Sequence, residues 1–228
     1  LASTWSELVG PTGRVEVTDV APAMVEAAGR RAATLPNVTA VVVNAGAIDR
    51  PDGSVDVVAS RMGLMFAPDP AAALSEIHRV LGRGGRLGAL TWAGMEHNPW
   101  VTSVGMAAMI HGVVTGGPPV GPGEIFSLGD PDEFGRLAEA QGFHDVTVEA
   151  HDVTFHAKSV EAHIERVSAL AGPLARLLAA ATPEQRDAVR RTAAELAAAH
   201  ATADGLAHPG VELVINLKTA KALGLTIP

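Results

Sequence analysis

Residues 38–43 (VTAVVV) constrain the fold more than any other stretch. They form a continuous β-branched apolar run with no polar face. A strand covered on both sides reads this way, and such strands occur in parallel sheets packed between helices. The neighbouring segments agree. Residues 13–18 (GRVEVT) read as a strand ending at Asp19, and residues 53–60 (GSVDVVAS) and 86–92 (RLGALTW) as two more. Between them Pro22 suits a first helical turn, with Met24, Val25, Ala28 and Ala32 spaced along one face. Asp69-Pro70 is a cap followed by proline at the first helical position, and Leu74, Ile77, Val80 and Leu81 recur at helical spacing. Gly84-Gly85 is expected to end that helix, with residues 82–85 as a turn. Strand, helix, strand, strand, helix, strand in this order requires crossover connections, and so a doubly wound, mostly parallel α/β sheet.

The first ten residues read as a helix. Thr4 and Glu7 have capping-box spacing, Trp5, Leu8 and Val9 form a stripe, and Gly10-Pro11 stops it. A chain that opens on Leu1 in mid-element is expected to continue upstream. In the second half, residues 98–114 have helical character and residues 115–124 (TGGPPVGPGE) are a loop. Asp130 and Glu133 open a helix closed by Gly142, residues 144–154 are strand-like, and residues 159–170 and 182–202 are helical, the latter opened by Thr182, Pro183 and Gln185. Residues 211–215 make a last short strand.

With 47% apolar and 18% charged residues, the 228-residue chain can build a core of ordinary domain size. Its net charge of −8 and lack of any Lys/Arg cluster argue against a nucleic-acid partner. The absence of cysteine removes disulfides, thiolate metal sites and cysteine nucleophiles. The nine histidines form no HxH or HxxxH pair, so no metal site is expected. No apolar run approaches the roughly 18 residues of a membrane span, and no leader pattern is present, so a cytoplasmic protein without membrane attachment is expected.

Asp19 is the first residue with chemical content. In open α/β sheets ligands bind beyond the carboxyl ends of strands, where an acid can accept from both hydroxyls of a ribose. By position alone Asp19 is equally a helix-start residue. The segments TGRVEVTDVAPAMVEAA, VVVNAGAIDRPDGSVDVVASRMGLMFAPDP, EIHRVLGRGGRLGALTW and FSLGDPDEFGRLAEAQGFHDVTVE, in that order and spacing, resemble class I S-adenosylmethionine-dependent methyltransferases, the ubiquinone/menaquinone-biosynthesis type above all. The resemblance implies a Rossmann-like domain over residues 1–155, with residues 156–215 supplying a helical cover and the last strand. It also implies a first strand and glycine-rich loop ahead of Leu1, with that strand lying between those ending at Asp19 and Ser60. Without it both neighbours keep an open edge and cofactor binding is weakened.

Carried over by position, Asp19 holds the ribose, Val20 and Met24 flank the adenine, and Asn44-Ala45 hold its edge, Asn44 standing where the family has an acid. Ser60 and Arg61 lie beside the methionine moiety, and Met62 beside the substrate. His97 is the candidate base, against a plain surface-loop reading, and Phe66 and Trp100 either wall a substrate pocket or pack in the core. His78 is structural or on the surface. The implied reaction is methyl transfer from S-adenosyl-L-methionine to an O, N or C atom of a small molecule. The alternative is a non-methylating, ligand-binding or cyclase-type member of the fold; a homodimer is a possible assembly for either. Residues 210–228 (GVELVINLKTAKALGLTIP) resemble the C-terminus of transporter solute-binding proteins, and residues 216–228 are set apart as an extension.

Overall fold

The computed structural model describes residues 2–170 and 172–216; most of the 216–228 extension therefore lies outside the described residues. In chain order the elements are α1 (Ala2–Val9), β1 (Val15–Asp19), α2 (Pro22–Ala32), β2 (Val38–Val42), β3 (Val55–Arg61), α3 (Pro70–Val80), β4 (Leu81–Trp92), α4 (Pro99–Ile110), α5 (Pro131–Ala140), β5 (Val148–Ala157), α6 (Val160–Leu170), α7 (Gly172–Ala180), α8 (Pro183–Ala198), β6 (Ala201–Thr202) and β7 (Gly205–Ile215). β1 pairs with β2 in parallel, Asp19 opposite Val42. β3 pairs with β4 in parallel, and that sheet continues antiparallel through β7 to β5, with β6 also on β7. Among the described residues β1 has only β2 as a strand partner and β3 only β4, so each keeps the open edge that the resemblance implies. No described helix is long and apolar enough to cross a membrane, and no described group of His, Asp and Glu could hold a metal ion.

The caps form where the sequence puts them. Asp69 Oδ1 accepts from Ala72 N at 2.9 Å and Asp130 Oδ1 from Glu133 N at 2.8 Å, while Thr182 and Gln185 close a reciprocal capping box. Four expectations are corrected. Residues 38–43 are not covered on both faces: Val38 alone of β2 is buried and Val42 is 51% exposed, because among the described helices α2 is the one packed on β2, while α1 reaches only β1. On α2 only Ala32 is buried, and Met24 is turned outward. Helix α1 already runs from Ala2, which puts Thr4 inside it and not at its cap. Helix α3 stops at Val80, and the chain enters β4 directly at Leu81; residues 82–85 bulge from the ladder, since Val55 opposes Leu81 but Val57 opposes Arg86, and Gly84 takes φ 76°.

The core lies on the second sheet. One face packs Leu74 and Ile77 of α3 and Phe134 and Ala138 of α5 against Leu87, Ala89 and Ile215. Near the carboxyl end of β4, Trp92, Trp100 and Phe155 cluster with ring centroids 4.4–5.6 Å apart. Asn98, fully buried, fixes this region. Its amide nitrogen donates to the carbonyls of Ala93 (3.0 Å), Gly94 (3.2 Å) and Val211 (3.3 Å), and its Oδ1 accepts from Trp100 Nε1 and Val211 N, both at 3.1 Å. Gly210 passes so close that a Cβ there would meet Phe155, Trp100 and Asn98 at 2.9–3.1 Å, which only glycine avoids. Asn98→Ala strands the Val211 amide and the Trp100 indole donor together. A loss of about 3 kcal/mol of unfolding free energy is expected in urea denaturation.

Three imidazoles cluster beyond this point: His163 and His208 stack at 4.1 Å between centroids, and His200 lies tilted against His208 at 4.7 Å. Ser103 Oγ reaches His163 Nε2 at 3.4 Å, whereas neither nitrogen of the fully buried His208 has a partner. Burial, then the charges of His163 and His200, push the His208 pKa down to about 4; His163 is lowered by burial, Arg166 and His200. The unfolded chain, with His208 near 6.5, binds more protons than the folded one between these values. Stability is therefore full above pH 6.5 and falls as the pH drops toward about 4. Thermal midpoints measured across that window should decline in the parent and flatten in His208→Leu.

Candidate active site

Asp19, Asn44 and Ser60–Met62 each lie at or just beyond the carboxyl end of a parallel strand. Asp19 ends β1 and turns the chain into α2: its Oδ1 accepts from Ala21 N at 2.8 Å, while its Oδ2 has no partner among the described residues. Beside it Val20 and Met24 are 68% and 58% exposed, two large apolar side chains left in the open next to a half-buried acid. Beyond β2, Asn44 Oδ1 accepts from Gly46 N at 2.9 Å and Asn44 bridges to Ala47, so the amide already organises its own turn and keeps one oxygen lone pair and its NH2. Ala45 packs against the main core.

At the end of β3, Ser60 Oγ accepts from Leu64 N at 3.1 Å and starts the 3-10 turn Leu64–Phe66. Met62 sits at φ 54°, a left-handed conformation costly for a side chain, held by its N–H on Leu90 O at 3.0 Å. Strain of this kind at a strand end marks positions where geometry matters more than local stability. Phe66 is exposed. Trp100 is not at an open pocket: it is buried and stacked on Phe155, the packing alternative. His97 is exposed, with Glu96 at 3.4 Å, and no other described residue hydrogen-bonds its ring as a base would need. His78 is exposed, edge-on to Phe143. Among the described residues no hydrogen bond joins the Asp19, Asn44 and Ser60–Met62 groups to one another.

What holds the loop after β2 is a network the sequence reading missed. Arg79 on α3 donates to Glu76, to Asp52 Oδ1 (2.7 Å) and to the carbonyls of Ile48 (2.7 Å) and Arg50 (2.9 Å), while Glu76 Oε2 accepts from Ile48 N at 2.8 Å. Arg50 in turn makes a two-point contact with Glu16 of β1 at 3.0 Å. The two sheets are thus linked through residues 48–52. Also missed were Glu212 and His151, both carrying an enclosed polar atom without a partner; the available signal was a lone acid inside the apolar run GVELVI. Two clefts open elsewhere. One of ≈ 340 Å³ lies at the amino end of β1 and β2 by Ser6, Gly10 and Asn37, and one of ≈ 270 Å³ between the starts of α3 and α5 by Asp69, Ser127 and Asp130. Neither is lined by the strand-end residues above; the free polar groups and the strained backbone are at the strand ends.

Residues 2–89 match the family model described as a methyltransferase domain. Over this stretch the chain is similar to methyltransferase domains. Over 100 residues, 42% of this chain, the sequence is 34% identical to the ubiquinone/menaquinone biosynthesis C-methyltransferase UbiE of Pseudoalteromonas translucida, covering 40% of that protein. Over 84 residues, 37% of this chain, it is 40% identical to an uncharacterized 37.1 kDa protein in transposon TN4556 of Streptomyces fradiae, covering 24% of it. The matches thus span 40% or less of these curated relatives' length. In fold the chain is similar to the YcgJ protein of Bacillus subtilis (TM-score 0.53, 16% identity, 89% of this chain and 82% of that one) and to BH2331 of Bacillus halodurans C-125 (TM-score 0.55, 14% identity, 89% and 81%). The mixed α/β architecture is that of these neighbours.

The hydrogen bonds of Arg79, then that of the Ile48 amide, hold the Glu76 carboxyl down at about 2. Arg79→Met should move the Glu76 titration midpoint, followed by carbon-detected NMR, up toward 4.5 and speed hydrogen exchange at the Ile48 amide.

Proposed function

We propose that the protein transfers a methyl group from S-adenosylmethionine to an O, N or C atom of a small molecule. The observation that carries this reading is Asp19: an acid at the carboxyl end of a parallel strand, one oxygen spent on its own turn and the other free, with exposed Val20 and Met24 beside it. That donor set fits a nucleoside. The carboxylate accepts from the ribose hydroxyls, each charge-assisted bond adding roughly 1.5–3 kcal/mol. Val20 and Met24 offer apolar contact to a purine, and Asn44, through its NH2 and remaining lone pair, with Ala45 meets the edge of the base. Ser60 and Arg61 stand beside the amino-acid end, and Met62 and Phe66 toward the acceptor.

When bound, S-adenosylmethionine supplies an electrophilic methyl carbon on a sulfonium. What the chain contributes is position: strand ends that hold donor and acceptor in line and close, where much of the acceleration of a displacement arises. C-methylation, as named for UbiE, is one version of this chemistry; the relatives do not fix the acceptor atom. The reading supposes a cytoplasmic protein acting on a small molecule, with no nucleic-acid or membrane partner. Asn44, an amide already engaged by Gly46, favours a second reading, a member of the fold that keeps a ligand pocket without methyl transfer.

Calorimetry with S-adenosylhomocysteine tests the proposal. Binding is expected, weakened about 10-fold or more in Asp19→Ala. No heat in the parent protein, or equal affinity in the two, overturns it, and mass spectrometry of purified protein without bound nucleoside would then favour the second reading.

A further inference from the structure

Two polar atoms that the protein encloses and leaves unpaired belong to facing residues of adjacent strands. Glu212 of β7 is 2% exposed and its Oε2 has no hydrogen-bond partner; His151 of β5 stands opposite it in register, and its Nε2 has no hydrogen bond either, Glu149 Oε2 standing off at 3.9 Å. Side chains directly opposite in an antiparallel pair share a face, with Cβ atoms about 4.5–5.5 Å apart. On its other side Glu212 opposes Trp92, the last residue of β4. Arg61, the last residue of β3, opposes Leu90, which opposes Val214, so it shares that face as well. Burial pushes the Glu212 carboxyl up and the charge of Arg61 pulls it back. Arg61 makes no ion pair among the described residues. The place is the carboxyl end of β3 and β4, where an α/β sheet receives its ligand.

Buried polar groups are almost always hydrogen-bonded, and a carboxylate beside an imidazole, both unsatisfied, is costly to keep in a strand that otherwise reads as apolar. A group that is both donor and acceptor would satisfy the pair. A hydroxyl does so: its hydrogen goes to Glu212 Oε2 and its oxygen accepts from His151 Nε2–H or Arg61. An anion would be repelled by the carboxylates of Glu212 and Glu149, and an ammonium has no lone pair to accept from His151 or Arg61.

We propose that Glu212 and His151, with Arg61 beside them, are the polar recognition groups of an acceptor subsite that takes a neutral, hydroxyl-bearing small molecule. Its role as an acceptor subsite rests on the methyltransferase reading; its preference for a hydroxyl rests on the geometry alone.

The test uses benzyl alcohol and its methyl ether as probes, titrated against the full chain by ligand-observed NMR without any nucleoside. The alcohol is expected to bind at least about tenfold more tightly than the ether, because a site built for a hydroxyl rejects the analogue that lacks one. Glu212→Leu should remove that preference and leave the ether unchanged, and His151→Phe should weaken the alcohol severalfold. Equal binding of the two probes to the parent, no binding of either, or an alcohol affinity untouched by both substitutions overturns the proposal. Should Glu212→Leu fail to fold, the two-probe comparison on the parent and His151→Phe decide the matter. Failure to bind S-adenosylhomocysteine with the hydroxyl preference intact would sink the methyltransferase reading and leave this site standing; the reverse pattern would sink the site alone.

Discussion

The second half of the molecule depends on one buried amide. Asn98 stands between the end of β4 and the start of α4, and through five hydrogen bonds it ties Ala93 and Gly94 to Val211 of β7 and to the Trp100 indole. A backbone leaving a strand and entering a helix exposes several donors and acceptors that must find partners when buried. One side chain with both kinds of group settles them in a volume where water has no place. The close pass of Gly210 and the stacking of Trp100 on Phe155 follow from that anchor. The carboxyl end of β4, against which Glu212 is set, thereby becomes a rigid wall.

The first half is held differently. The β1–β2 pair is thinly covered, and its link to the larger sheet runs through guanidinium groups: Arg50 to Glu16, and Arg79 to Glu76, Asp52 and two carbonyls. Exposed ion pairs contribute little each, but a fork that fixes several backbone groups of one loop at once sets its path. The loop so held runs on from Asn44 and Ala45. Charge and hydrogen bonding, with little apolar packing, position the nucleoside side of the proposed site.

Two clusters of buried polar groups differ in what they imply. His163, His200 and His208 lie among the C-terminal helices and β7, away from the strand ends, and their effect is on stability as the pH falls. Glu212 and His151 lie at the strand ends, where an unsatisfied group has a use. The same physical cost of burial thus has a structural consequence in one place and a recognition role in the other.

Read alone, the sequence determined the order of the elements from α1 to α6, the parallel pairing of the first four strands, the three helix caps and Asp19 at a strand end. All of these are local: periodicity, capping chemistry and crossover rules act over a few residues to a few tens. It misjudged the apolar run at 38–43, because apolar composition says a strand wants cover on both sides without saying that a second layer exists. It left Trp100 open between pocket and core, since an aromatic serves either and only its neighbours decide. Asn98, Arg79 and the Glu212–His151 pair were decided by tertiary structure alone. Their partners lie 27 or more residues away in Arg79's loop contacts and over 100 in Asn98's to Val211, and no local pattern encodes which distant group a side chain will meet.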